Sequence, residues 1–134
     1  MCASPELAAK AGDKTLSLSS LVEASQAPNF VVVEGAGGLY SPIAQQALNI
    51  DLAKALALPL ILVVKDELGA INQALLTDRA ARSAGLSVLA IVLNQFEVNS
   101  LANDQAIAQY TATPVVLYQG NDAGFSKEML ALVE

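Results

Sequence analysis

The run Phe30-Val31-Val32-Val33-Glu34-Gly35-Ala36-Gly37-Gly38 joins an apolar, β-forming stretch to a carboxylate and then to a loop almost without side chains. A carboxylate is a hard oxygen ligand, and glycines let backbone N–H groups come near an anion without Cβ interference. Together they suit chemistry on a phosphate or another oxyanion. Residues 30–34 are too apolar to face water on one side, and read as an interior strand of a parallel sheet. In open α/β sheets ligands sit outside the carboxyl ends of the strands, which places the loop on the ligand side. A plainer reading also stands: Glu34 ends a strand and the glycines turn the chain.

The elements that must hold this loop follow from the alternation of apolar runs with amphipathic stretches, the signature of repeated β-α units. Residues 60–65, 88–94 and 114–118 read as further strands. Residues 16–25, with Leu18, Leu21 and Val22 at helical spacing, and 45–58, with Ile50, Ala53 and Leu56 on one side, read as helices packed on the sheet. Residues 69–84 form the best-defined helix: Ile71, Leu75 and Leu76 share an apolar face, Asp78 and Arg82 pair at i,i+4, and Gly85 stands where a helix stops. Helices over 101–110 and 126–133 complete the alternation. No repeat, low-complexity tract or charged linker interrupts it, so residues 1–134 read as a single α/β domain.

Composition narrows the chemistry. Of 134 residues, 54% are hydrophobic, enough for one compact core. Seven basic against 13 acidic residues give a net charge of −6 with no basic cluster, which argues against nucleic acid or an anionic membrane as partner. The single cysteine, Cys2, excludes an internal disulfide framework and suits a reducing cytoplasm. The apolar stretch 56–64 is broken by Pro59 and too short to span a bilayer, and residues 1–10 lack an export pattern. There is no histidine, which removes Ser-His and Cys-His pairs and histidine metal sites. Gly12-Asp13-Lys14-Thr15 superficially resembles the end of a phosphate-binding loop, but it lacks the upstream glycine, the preceding strand and an adjacent Gly-Lys pair, and reads as a polar turn.

At this point the residues carry a resemblance. Residues 31–43, Val-Val-Val-Glu-Gly-Ala-Gly-Gly-Leu-Tyr-Ser-Pro-Ile, resemble the Glu-Gly-Ala-Gly-Gly segment of dethiobiotin synthetases, the ATP-dependent enzymes that close the ureido ring in biotin synthesis. The likeness continues through Asp51, through Leu58-Pro59-Leu60-Ile61-Leu62-Val63-Val64, and through Leu68-Gly69-Ala70-Ile71-Asn72-Gln73-Ala74-Leu75-Leu76-Thr77. It then takes in Gly85-Leu86 and Val92-Leu93-Asn94, and Ser4 to Ala9 resembles the segment preceding the loop. The glycine loop alone is moderately specific; in this order with the Leu-Gly-Ala-Ile-Asn run it is highly specific. Nearly the whole chain is covered, but only the later part of the family. The family's first strand, its phosphate loop and the lysine that follows have no counterpart here.

The resemblance implies a P-loop NTPase-like, mostly parallel sheet flanked by helices, here incomplete at its N-terminal side, with apolar strand edges beside residues 30–34. It implies the substrates diaminopelargonic acid, CO2 and ATP, with Mg²⁺ offsetting phosphate charge, in a cytoplasmic homodimer. Glu34 is the position for Mg²⁺ and contacts the nucleotide. Gly35, Ala36, Gly37 and Gly38 direct backbone N–H groups at the transferred phosphoryl or carbamate oxygens, as anion nests do; Gly37 is also a nucleotide contact. Gly69, Ala70, Ile71 and Asn72 open a helix whose first N–H groups suit a substrate carboxylate across the dimer. Gln73 stands where the family often has histidine. Asn94, Gln119 and Asn121 fall near the adenine, though the family's proline-containing loop is replaced by Tyr118-Gln119-Gly120-Asn121. Tyr40, Tyr110 and Phe125 read as packing residues. The residues also allow a non-catalytic shortened relative acting as a dimerising or regulatory module, and another ATPase or amidoligase of the same broad class.

Overall fold

The computed structural model describes residues 4–95, 101–120 and 123–133; Cys2 and Asn121 lie outside them. The chain divides into two compact units, Met1–Leu58 and Pro59–Glu134.

In the first unit, α1 (Pro5–Ala11) starts with a proline behind the Ser4 cap, and α2 (Leu18–Ala24) starts with a reciprocal Ser17/Ser20 capping box. A short antiparallel pair, β1 (Pro42–Ala44) and β2 (Ala47–Leu48), precedes α3 (Asn49–Leu56). The helix expected over 45–58 therefore begins later. Gln46 turns the hairpin at φ 54°, and the Asp51 carboxylate accepts from Leu48 N–H at 2.8 Å to fix the helix start. Ile43, Ala44, Ala47 and Leu52 form the core, with Leu18, Leu21, Val22 and Val33 packed against it.

The strand expected over 30–34 is not one. Among the described residues no strand pairs with this extended segment, and Phe30 and Val32 are 81% and 80% exposed. Extended residues become a strand only when a neighbour takes their N–H and C=O groups. Composition favours the extended form but supplies no partner.

The second unit is a three-stranded parallel sheet in the order β3 (Leu60–Lys65), β4 (Val88–Asn94), β5 (Val115–Tyr118). Register runs to Lys65 opposite Asn94 and Asn94 opposite Tyr118, so the three carboxyl ends lie level. The central β4 is nearly all buried, as its unbroken apolar run requires. On the edge strand β3, Leu62 and Val64 are buried while Ile61 and Val63 on the other face are exposed. The connections are α4 (Ala70–Ser83) and α5 (Asn103–Ala108), and α6 (Ala123–Val133) follows β5. Ile91, Leu93, Ile107 and Val116 are the largest fully buried side chains among the described residues.

Candidate functional site

In the first unit the site is built around the glycine loop, and the residue that organises it is Asn49. The residue is buried, 9% exposed. Nδ2 donates to the carbonyls of Ala36 (2.9 Å), Gly38 (2.9 Å) and Ser41 (3.2 Å). The first N–H groups of α3 lack intrahelical partners, and the loop supplies them: Asn49 N–H donates to Ser41 C=O and Ile50 N–H to Leu39 C=O. Helix start and loop thus satisfy each other.

Two glycines are required by close approach. A Cβ on Gly35 would lie 2.6 Å from Asn49 Oδ1, and one on Gly37, at φ +81°, would lie 2.7 Å from Ser41 Oγ. Ser41 Oγ also accepts from Gly38 N–H at 2.9 Å, so this amide is taken up inside the loop. Asn49 Oδ1 is buried with no hydrogen-bond partner among the described residues. Glu34, exposed at the head of the loop, leaves its carboxylate to solvent.

In the second unit the carboxyl ends of the strands carry a polar cluster. Asp66, just beyond β3, is buried. It accepts from Gln95 Nε2 and from Asn103 Nδ2, each at 2.7 Å, and Gln119 Nε2 donates to Gln95 Oε1 at 2.5 Å. One side chain past the end of each strand is therefore joined in a chain running β3, β4, β5. Asn94 ends β4 beside it, half-buried.

The start of α4 follows Asp66 closely. Gly69 caps it at φ 99°, a conformation that favours glycine. Ala70 is buried, and its N–H donates to Glu67 C=O. The N–H groups of Ile71 and Asn72 are then the ones a helix start leaves for a ligand, with Asn72 exposed beside them.

Asn49, Asp66, Gln95 and Asn103 were not among the residues singled out by sequence. Asn49 reads as a mid-helix residue until the helix start is known to fall on it. Asp66 sits in the charged run Lys65-Asp66-Glu67, which resembles a solvated turn. A polar residue one place beyond each of two buried strands was the available signal.

Residues 1–118 match the family model described as an AAA domain. The chain belongs to that family. Its parallel α/β sheet with flanking helices accords with membership, as the resemblance implied. Among curated relatives, the chain is 48% identical over 129 residues to the ATP-dependent dethiobiotin synthetase BioD of Ruthia magnifica subsp. Calyptogena magnifica, covering 96% of this chain and 61% of the relative. It is 50% identical over 121 residues to the enzyme of the same name from Vesicomyosocius okutanii, covering 90% and 56%. The match to that from Lawsonia intracellularis is 43% over 91 residues, 68% and 44%. This AAA-domain chain thus spans about three fifths or less of the length of these relatives.

Proposed function

We propose that this chain is the later part of a dethiobiotin synthetase, a ligase that carboxylates and cyclises diaminopelargonic acid at the expense of ATP. The carrying observation is the similarity at 48–50% identity to enzymes of that name along 90–96% of the chain. It weighs against the alternative of a non-catalytic module. In the reaction one substrate amine adds CO2 as a carbamate and a carbamate oxygen attacks the γ-phosphorus as ADP leaves. The second amine then closes on the mixed anhydride, releasing phosphate.

In this reading the loop Gly35, Ala36, Gly37 and Gly38 borders the reacting oxyanions, with Gly37 and Glu34 also contacting nucleotide. The start of α4, Gly69 to Asn72, takes a substrate carboxylate in a homodimer. Asn94 and Gln119 serve the nucleotide at the strand ends, and Asn121 keeps that role from the sequence alone. Glu34 suits Mg²⁺: the ion takes one or two carboxylates with waters and phosphate oxygens, and an exposed carboxylate at the loop head meets that need. Bound there, the ion would offset phosphate charge. The family match runs through both units, which supports one α/β domain. No helix among the described residues is long and apolar enough to cross a membrane; a cytoplasmic enzyme is the reading adopted.

Calorimetric titration of diaminopelargonic acid into the chain and into Asn72→Ala tests the substrate assignment. The expected result is binding weakened about tenfold in the variant, the worth of one hydrogen bond to a charged group. Equal affinity in the two would remove Asn72 from the site, and the absence of binding to the unaltered chain would remove the substrate assignment.

A further inference from the structure

Gln119 has an amide whose two ends differ only in oxygen and NH2, so a free glutamine can turn by 180° and accept or donate at will. Here its direction is fixed from a distance. The buried carboxylate of Asp66 accepts hydrogen bonds, and it receives Gln95 Nε2 and Asn103 Nδ2 at 2.7 Å each. With Nε2 of Gln95 committed to Asp66, Oε1 is the end that meets Gln119, and Gln119 must offer Nε2 to it. That leaves Oε1 of Gln119, with the second N–H of its Nε2, at the outer end of the chain.

The placement matters because Gln119 is exposed just past β5, at the carboxyl edge of a parallel sheet, where ligands of such folds sit. We propose that Asp66 and Gln95 are positioning residues that fix the direction of the Gln119 amide with its Oε1 acceptor outermost, selecting a nucleotide whose base offers an amino group to that oxygen over one that offers a carbonyl oxygen. For a purine this means preference for the 6-amino over the 6-oxo base. The proposal rests on the nucleotide reading given above. It adds a direction to the contact, which neither similarity to relatives nor the exposure of Gln119 supplies.

Removing the charge at the far end should release the whole chain. In Asp66→Asn, position 66 carries an amide that can itself donate or accept, so Gln95 and Gln119 are free to reverse. The experiment is titration of the full chain, mixed with the N-terminal portion of a matching dethiobiotin synthetase that supplies the phosphate loop, with Mg-ATP and with Mg-ITP, which differ in the group at the purine 6-position, repeated on Asp66→Asn. The expected result is ATP favoured by about tenfold in the unaltered chain, since a site built for a donor rejects its replacement. In the variant that ratio should collapse towards one. In the unaltered chain, NMR of the glutamine side chains should show ATP moving the Gln119 carbonyl carbon more than its amide nitrogen; this reading does not depend on the variant folding. Equal affinities for ATP and ITP, a ratio preserved in a folded Asp66→Asn, or a shift confined to the amide nitrogen would overturn the proposal while leaving nucleotide binding in place. If neither nucleotide binds the mixture containing the unaltered chain, the nucleotide reading falls and this proposal falls with it.

Discussion

Replacing Gly35 with alanine sets a methyl carbon 2.6 Å from Asn49 Oδ1 and 3.2 Å from its Cγ. Asn49 cannot step aside cheaply, because the same side chain holds three loop carbonyls. Urea unfolding should therefore show Gly35→Ala destabilised by about 2 kcal/mol, in the range of overpacked sites. Asn49→Ala strips the donor from those carbonyls and should cost on the order of 1–3 kcal/mol. The double variant should cost less than the sum, since the methyl then has room and the two residues share one contact. Strict additivity would show that Asn49 does not hold the loop. Sequence made the glycines legible, because small residues after an apolar run announce close approach. It did not reveal what approaches: Asn49 lies 14 residues beyond Gly35 and acts through a side-chain bond that no local pattern encodes.

Helix α4 is tied to the residues just before β5 by a cluster around the buried carboxylate of Asp78. Asp78 is 2% exposed and accepts from Thr113 Oγ1 (2.8 Å), Thr111 Oγ1 (2.8 Å) and Arg82 Nε (3.0 Å), while Arg82 Nη2 donates to Thr113 Oγ1. Burial by itself would raise this carboxyl. The hydrogen bonds from Thr113, Thr111 and Arg82 and the charge of Arg82 outweigh burial and hold it below its ordinary value. A carboxyl that titrates lower when folded stabilises the fold above its unfolded pKa, and that stability is lost as pH falls through the folded one. The window lies below about pH 4. Asp78→Asn should lower stability at pH 7 and flatten its fall on acidification, read as urea midpoints at pH 7, 5 and 3. Parallel acid profiles for the two proteins would exclude Asp78 as the cause.

At this scale the second unit was well legible. The strands at 60–65 and 88–94 fall where the apolar runs do, and the helix expected over 69–84 was off only by its caps. Asp78 and Arg82 were paired from their spacing alone, while Thr111 and Thr113, more than 30 residues away, were not. The segment 30–34 was misread because an unbroken apolar, β-branched run favours extended backbone and says nothing of whether a partner lies beside it.

For the molecule as a whole, the residues in hand carry part of the relatives' length. The sequence contains no Gly-x4-Gly-Lys-Ser/Thr run, and loops of that kind supply most of the donors that hold a triphosphate. What remains is a glycine loop with its carboxylate, a helix start and a set of strand-end amides. In the proposed function these take the substrate and base side of a ligase reaction. The most direct measurement is an assay of the purified chain with diaminopelargonic acid, bicarbonate and Mg-ATP, alone and mixed with the N-terminal portion of a matching synthetase, following phosphate release and dethiobiotin by mass spectrometry. Both products are expected only in the mixture, with titration showing that the chain contributes diaminopelargonic acid binding. A folded chain that binds no diaminopelargonic acid and yields no dethiobiotin under either condition would contradict the proposed function.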